Sequence, residues 1–371
     1  MKVKFNREKF MTAFQTAASV APARSPKPIL QNVKFEVTAE SATLLVTDLE
    51  IGIRIEVPGV EVETPGAAVL PITRFGSILR ESSDEMLNLQ ADGQGVAVQG
   101  QRSEFQLSVE DPNEFPVVGQ FTEEKYQEVP ARLFREIIRR TIFATDNESS
   151  RYALGGVKLE FIKDKLTAVG TDGRRLAKME GPCMSVGGDP AEDASIIVPS
   201  RAMQLMERAL DDSDAEIQIA AHSNDLLVKS QRATIYTRLL EGRFPRWRDV
   251  FPQRDGVSKI EMPVGPLHST VRQAAIVTSE ESRGIDFTFA GGNLVLSGKA
   301  AEVGQARVEL PISYDGPEIS ITLDPRFMID FLKVLDAEKT FTLEIKDSES
   351  AAVCVTDDGY GYVIMPLARD R

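Results

Sequence analysis

The 371-residue chain has two cysteines, two histidines and one tryptophan, and no apolar run approaches the roughly 20 residues of a membrane span. Cys183 and Cys354 lie far apart, which supports neither a disulfide framework nor a cysteine zinc site and points to a reducing cytoplasm. His222 and His268 stand in no metal-binding spacing such as His-Glu-x-x-His. A Walker loop, a G-x-S-x-G elbow and a dinucleotide fingerprint are all missing. No catalytic residue, metal ligand or cofactor site is therefore assigned. The opening, "MKVKFNREKFMTAFQTAASVAPA", has the basic start, apolar middle and small-residue end of an export signal. Gln15 and Thr16 interrupt its apolar run, however, and a matching helix recurs inside the chain, so it is read as part of the fold.

What is present is an ordinary globular composition, 42% hydrophobic and 27% charged. The length exceeds the roughly 250 residues at which single cores stop growing, so two or three domains are expected. A net charge of −13 argues against nucleic acid if only the total is considered. The distribution of the charges decides otherwise.

The chain repeats. "ATLLVTDLEIGIRIE" from Ala42 and "LTAVGTDGRRLAKME" from Leu166 share one form, offset by 124 residues between Asp48 and Asp172. At the same offset Phe10, Ala13, Phe14 and Ala18 meet Phe134, Ile137, Ile138 and Ile142, all at helical spacing. A second helix follows a proline in "VLPITRFGSILRE", "IVPSRAMQLMERAL" and "ITLDPRFMIDFLKVL", each copy then returning to strands. The third copy has Gly291-Gly292-Asn293 as its first hairpin turn and no Thr-Asp there. Three α+β units, each with two helices on antiparallel strands, are expected over 1–122, 123–253 and 254–371. Asp48 and Asp172 are the one pair a hydrolase reading could use. Their equivalent places make them turn residues whose carboxylates cap backbone N–H groups.

Cations recur on the helices. Arg74, Arg201 and Arg326 match at the start of each second helix, and Arg135 and Arg139 share one face of an earlier helix, while acidic residues gather in loops. Six units of two helices, each helix roughly 10 Å across, would enclose a ring of about 38 Å helix-axis diameter. That opening admits hydrated duplex. One chain supplies three units, so such a ring is a two-fold dimer.

The stretches "PILQNV", "TDLEIGI", "SRYALGG", "VGTDGRRLA", "EGRFPRW" and "YVIMPL", with the threefold repetition and the length, closely resemble the bacterial DNA polymerase III beta subunits, the replicative sliding clamps. The resemblance implies a non-catalytic processivity factor of the DNA polymerase III holoenzyme, a homodimeric ring of six clamp (processivity-fold) domains around double-stranded DNA. It implies as partners the polymerase III alpha subunit, a clamp loader, and other polymerases and repair proteins carrying clamp-binding peptides. It carries a partner-peptide groove onto Leu154, Thr171, Gly173, Arg174, Arg175, Leu176, Pro245, Val250, Val363, Met365, Pro366 and Leu367. DNA contact is carried onto Arg24, Arg151 and Tyr152, beside the helix cations Arg74, Arg135, Arg139, Arg201 and Arg326. The dimer contact is carried onto Arg102 and Phe105 against Ile276, Val277 and Glu302.

The sequence departs from the family pattern in places. Ala153 follows Tyr152 where some clamps have a second aromatic, and Glu104 and Asp249 stand where basic residues are frequent. The tail "ARDR" runs past the usual ending. The alternative reading is a clamp-like scaffold serving mainly repair or accessory polymerases.

Overall fold

A computed structural model describes the chain except residues 93–94, 147, 149–152, 189–194, 211–212, 252–254, 281, 302 and 368–371. Arg151, Tyr152, Glu302 and the "ARDR" tail lie outside the described residues, as does part of the expected boundary near 253.

The opening segment forms a strand, Lys2–Asn6, and helix α1, Arg7–Ala18. Asn6 stops the strand and caps the helix, its side chain accepting from the Lys9 N–H at 3.1 Å. Such a cap contributes about 1 kcal/mol. Phe10, Ala13, Phe14 and Ala17 form the buried stripe, so the fourth buried position is Ala17 rather than the Ala18 expected from the sequence. Helices α2 (Ile72–Glu81), α3 (Ala131–Thr141), α4 (Ser200–Ala209), the single turn α5 (Trp247–Val250), α6 (Val264–Ala274) and α7 (Pro325–Lys333) follow. Thr141 holds the place of Ala17 in α3; it is buried, and its hydroxyl donates to the Ile137 carbonyl at 2.7 Å.

Packing groups the chain into two compact units, each with two fully antiparallel sheets. The first comprises Met1–Arg135, Cys183–Ala191 and Arg201–Leu240. Its five-stranded sheet runs Val60–Thr64, Lys2–Asn6, Met86–Ala91, Val96–Gln99, Glu104–Leu107. Its nine-stranded sheet includes Ala233–Arg238 beside Ile51–Glu56, which joins the central repeat to the first with Ile53 opposite Ile235. The first repeat's core is aromatic: Phe10 meets Phe35 edge-on at 5.1 Å and Phe14 meets Phe75 at 5.2 Å. Burying each such ring contributes about 2–3 kcal/mol.

The second unit comprises Glu136–Pro182, Glu192–Ser200 and Glu241–Arg371. Its eight-stranded sheet sets Arg175–Pro182 beside Gly361–Ile364, joining the central repeat to the third with Ala177 opposite Tyr362. Its four-stranded sheet runs Gly304–Pro311, Asn293–Ala300, Ile285–Ala290, Ile319–Leu323. The turn expected at Gly291-Gly292 is present, both glycines having positive φ. Phe331 of α7 stacks on Tyr362 at 4.9 Å, and the Tyr362 hydroxyl donates to the Phe327 carbonyl at 3.0 Å.

Two repeats of the same fold therefore share continuous sheets. The central repeat is divided between the units because its half-sheets hydrogen-bond to different neighbours, and three sequence copies pack as two bodies.

Candidate functional site

The Thr-Asp segments fold as the same turn twice. Thr171 donates its hydroxyl to the Arg175 carbonyl at 2.6 Å and accepts from the Gly173 N–H at 3.1 Å. Asp172 Oδ1 accepts from the N–H groups of Arg174 and Arg175, both at 2.9 Å. In the first repeat Thr47 bonds to the Ile51 carbonyl at 2.8 Å, and Asp48 Oδ1 accepts from Glu50 and Ile51 at 2.9 and 2.7 Å. Both turns place a residue in the left-handed region, Gly173 at φ 85° and Leu49 at φ 79°. Glycine accepts that conformation without strain, and leucine rarely adopts it. These aspartates hold backbone, as expected of turn residues.

Arg175 anchors the second turn. Its guanidinium bonds to Asp172 (3.0 Å), Asp330 (2.8 Å) and the Phe143 carbonyl (2.7 Å), and it lies 4.6 Å from the Phe327 ring centroid. Burial alone would lower its pKa; Tyr362, Asp330 and Asp172 more than offset that and raise it. The positive charge is thus permanent. Beside it opens a cleft of about 430 Å³ lined by Thr145, Asp146, Asp172, Arg174, Arg175, Arg326, Phe327 and Asp330.

The residues assigned to the peptide groove all belong to the second unit. Leu176 pairs with Val363 across the sheet, and the Met365 N–H donates to the Arg174 carbonyl at 2.9 Å. Leu154, Thr171, Leu176 and Val363 are buried, Pro245, Pro366 and Leu367 are half-buried, and Met365 and Val250 are 42% and 40% exposed. The chain after Pro245 is fastened by Trp247, whose indole N–H donates to Glu160 at 3.1 Å. Arg248 and Lys158 reach the same carboxylate at 2.6 and 2.9 Å. Burial would raise the Glu160 pKa, but hydrogen bonds from Lys158, Arg248 and Trp247 bring it below the ordinary value. Asp330, Phe143 and Glu160 were missed from the sequence. The lone tryptophan in "EGRFPRW" was the available signal, since an indole N–H buried with its ring needs an acceptor.

The junction of the first and central repeats repeats the hairpin with different side chains. Gly52 stands where Leu176 does, and Tyr236 where Val363 does. A methyl group on Gly52 would lie 3.0 Å from Val118 Cγ1, and Val118 is itself buried. Arg238 takes the place of Met365, its N–H donating to the Glu50 carbonyl at 2.9 Å and its side chain 3.5 Å from the Glu50 carboxylate. Exposed Met365 at one junction has charged Arg238 as its counterpart at the other.

The candidate DNA-binding cations differ in setting. Arg24 and Arg74 are exposed and, among the described residues, have no ion-pair partner. Arg135 donates to the Glu207 carbonyl at 3.2 Å, and Arg139 pairs with Glu136 at 2.7 Å. Arg201 pairs with Asp48, and Arg326 pairs at 2.5 Å with Asp324, the cap of α7. The recurrence of arginine at the second helices thus has a structural component, because two of the three matched arginines neutralise carboxylates of their own chain. Of the assigned dimer residues, Ile276 and Phe105 are exposed large hydrophobics, Arg102 is exposed and Val277 is half-buried. Among the described residues, no group of three His, Cys, Asp or Glu side chains is arranged to hold a metal, and no helix is long and apolar enough to cross a membrane.

Sequence models for the N-terminal, central and C-terminal domains of the DNA polymerase III beta subunit match residues 1–119, 128–246 and 248–368. A beta sliding clamp of Chlamydia pneumoniae is 28% identical over 99% of each chain, and one of Pseudomonas putida is 28% identical over 99% of this chain and 100% of its own. The crystal structure of a Pseudomonas aeruginosa sliding clamp bound to griselimycin matches with a TM-score of 0.90 and 27% identity over 100% of both chains. With all three domains in order along nearly the whole length, the chain belongs to the DNA polymerase III beta subunit family, the bacterial sliding clamps.

Proposed function

We propose that two copies of this chain close head to tail into a ring around duplex DNA, and that the groove of the second unit holds peptide segments of the polymerase and other partners. The family is that of a non-catalytic processivity subunit, so the work is tethering rather than chemistry.

One observation carries the dimer reading. The last strand of a repeat pairs with the fourth strand of the repeat before it, at Ala233–Arg238 with Ile51–Glu56 and again at Gly361–Ile364 with Arg175–Pro182. The same two strands are left at the ends of the series. Glu104–Leu107 is one of the two edge strands of the five-stranded sheet, and Gly304–Pro311 is one of the two of the four-stranded sheet. A second copy can supply the third junction at each end. The five- and four-stranded halves then complete sheets of the size found inside the chain, and these two edge strands are no longer open.

The rest follows as part of the same reading. The repeats divide near residues 122 and 253, and the protein works in the cytoplasm. Arg24 and Arg74, with Arg135, Arg139, Arg151, Tyr152, Arg201 and Arg326, contact phosphates without reading base edges, so binding weakens with salt. Leu154, Leu176, Val363, Met365 and their neighbours receive an extended apolar peptide. The polymerase III alpha subunit and a clamp loader are the principal partners.

The test is topological. Loaded by its clamp loader, the protein should stay on closed circular duplex and be lost when the circle is cut. Equal retention on circular and linear DNA, or on neither, would overturn encirclement.

A further inference from the structure

We propose that the open junction closes in one register, with Phe105 opposite Ala306 of the partner subunit, Glu104 opposite Arg307 of the partner subunit and Arg102 opposite Glu309 of the partner subunit. This charge pattern then restricts the edge to chains that carry it. The inference rests on the head-to-tail dimer proposed above and adds the register and the selectivity.

Two independent lines give the same register. The first comes from the internal junctions. From Val3, Gln127 and Ile260, three successive ladder steps lead to Phe105, Ile235 and Tyr362 in the three repeats. On the receiving strands Ile53, Ala177 and Ala306 sit opposite Val46, Gly170 and Gly298, again equivalent places. Inside the chain, Ile53 faces Ile235 and Ala177 faces Tyr362. The same rule at the open edges sets Ala306 against Phe105.

The second line uses faces and charges alone. Phe105 pairs with buried Val98, and Val308 with buried Leu296, so these side chains turn toward the core. Glu104 and Gln106 lie on the outer face, where Gln106 donates to Glu104 at 3.2 Å, and Arg307 and Glu309 pair at 2.7 Å on the outer face of the other edge. Matching core face to core face permits only slips of two residues, because a slip of one turns every side chain over. A slip of two in one direction sets Glu104 against Glu309, and in the other it sets Arg102 against Arg307. The register between them pairs both charges, and opposite charges directly across a ladder attract while like charges repel.

The internal junction supplies a precedent. Arg232 and Glu56 hold the places of Arg102 and Glu309, and the Glu56 N–H donates to the Arg232 carbonyl at 2.8 Å. A sliding-clamp edge with basic residues in place of Glu104 would meet Arg307 with like charge, so mixed rings are disfavoured.

The experiment uses the full chain, with dimer dissociation followed by sedimentation and subunit mixing by native mass spectrometry. Glu104→Arg and Arg307→Glu should each weaken the dimer by about tenfold or more, and the double variant should recover most of the loss. The double variant should also pair with itself and not with the unmodified chain. As a separate readout, Glu104→Cys with Arg307→Cys should cross-link the two subunits on oxidation, and Glu104→Cys with Glu309→Cys should not. An unmodified chain that dimerises, with no recovery in the double variant and with cross-linking in the second cysteine pair, would overturn the register and leave the dimer standing. An unmodified chain that is monomeric at micromolar concentration would overturn the dimer reading itself.

Discussion

Arg175 and Asp330 meet at 2.8 Å, tying the turn that follows Thr171 in the central repeat to helix α7 of the third. The same guanidinium holds Asp172 and the Phe143 carbonyl, so three segments converge on one side chain. A wall of the proposed groove is thereby fixed before any peptide arrives.

Removing that tie takes one donor from each of two carboxylates and from a carbonyl. Arg175→Ala should cost about 2–4 kcal/mol, read as a lower urea midpoint. Arg175→Lys should recover only part, because an ammonium cannot serve all three directions at once. A loss under about 0.5 kcal/mol for the alanine variant would show the cluster to be weakly coupled.

Gly170 tests how closely α3 approaches the sheet. A methyl group there would lie 2.2 Å from the Thr141 carbonyl oxygen, which is backbone and cannot swing aside. Gly170→Ala should destabilise by about 3 kcal/mol or more, visible as a drop of several degrees in Tm. An unchanged Tm would mean that the helix end can shift at little cost.

Acid should loosen the segment after Pro245. The Glu160 pKa is lowered in the folded chain, so its stabilising contribution is present above its unfolded value and is lost as pH falls through the lower folded value. Glu160→Gln should remove that part of the acid dependence and cost about 1–2 kcal/mol at neutral pH. Trp247 fluorescence, followed from pH 7 downward, reports the release. The same acid profile in both proteins would rule Glu160 out as its source.

Met365 separates the groove from its counterpart at the other junction. Met365→Asp should weaken an extended apolar peptide by at least about tenfold in a fluorescence anisotropy titration, with little effect on Tm. Arg238→Asp, at the matching place of the first junction, should leave peptide affinity unchanged. Equal losses from the two variants would move the binding site away from Met365.

The sequence made the repeats legible because they kept their spacing. Asp48 and Asp172 fall in the same turn with the same hydrogen bonds. It did not show that sheets run through the repeat boundaries, since partners such as Ile53 and Ile235 are remote in sequence and no local pattern marks a shared ladder. The Arg201–Asp48 ion pair was hidden for the same reason. The groove residues were assigned from the family resemblance and not from a local pattern. Asp330 and Glu160, which hold Arg175 and Trp247, were not assigned, because a carboxylate on a half-polar helix or strand reads as solvated until its neighbour is known.

Val118 packed against Gly52 has a consequence for valence. Duplication repeats the hairpin at both junctions of the chain, yet at the first Val118 of the connecting segment packs against Gly52, in the place of Leu176, and Arg238 faces Glu50, in the place of Met365. On the proposed reading each chain is univalent, and a closed pair offers two berths. Traffic among polymerases and repair proteins then becomes a contest for scarce places, settled by residence time and local abundance.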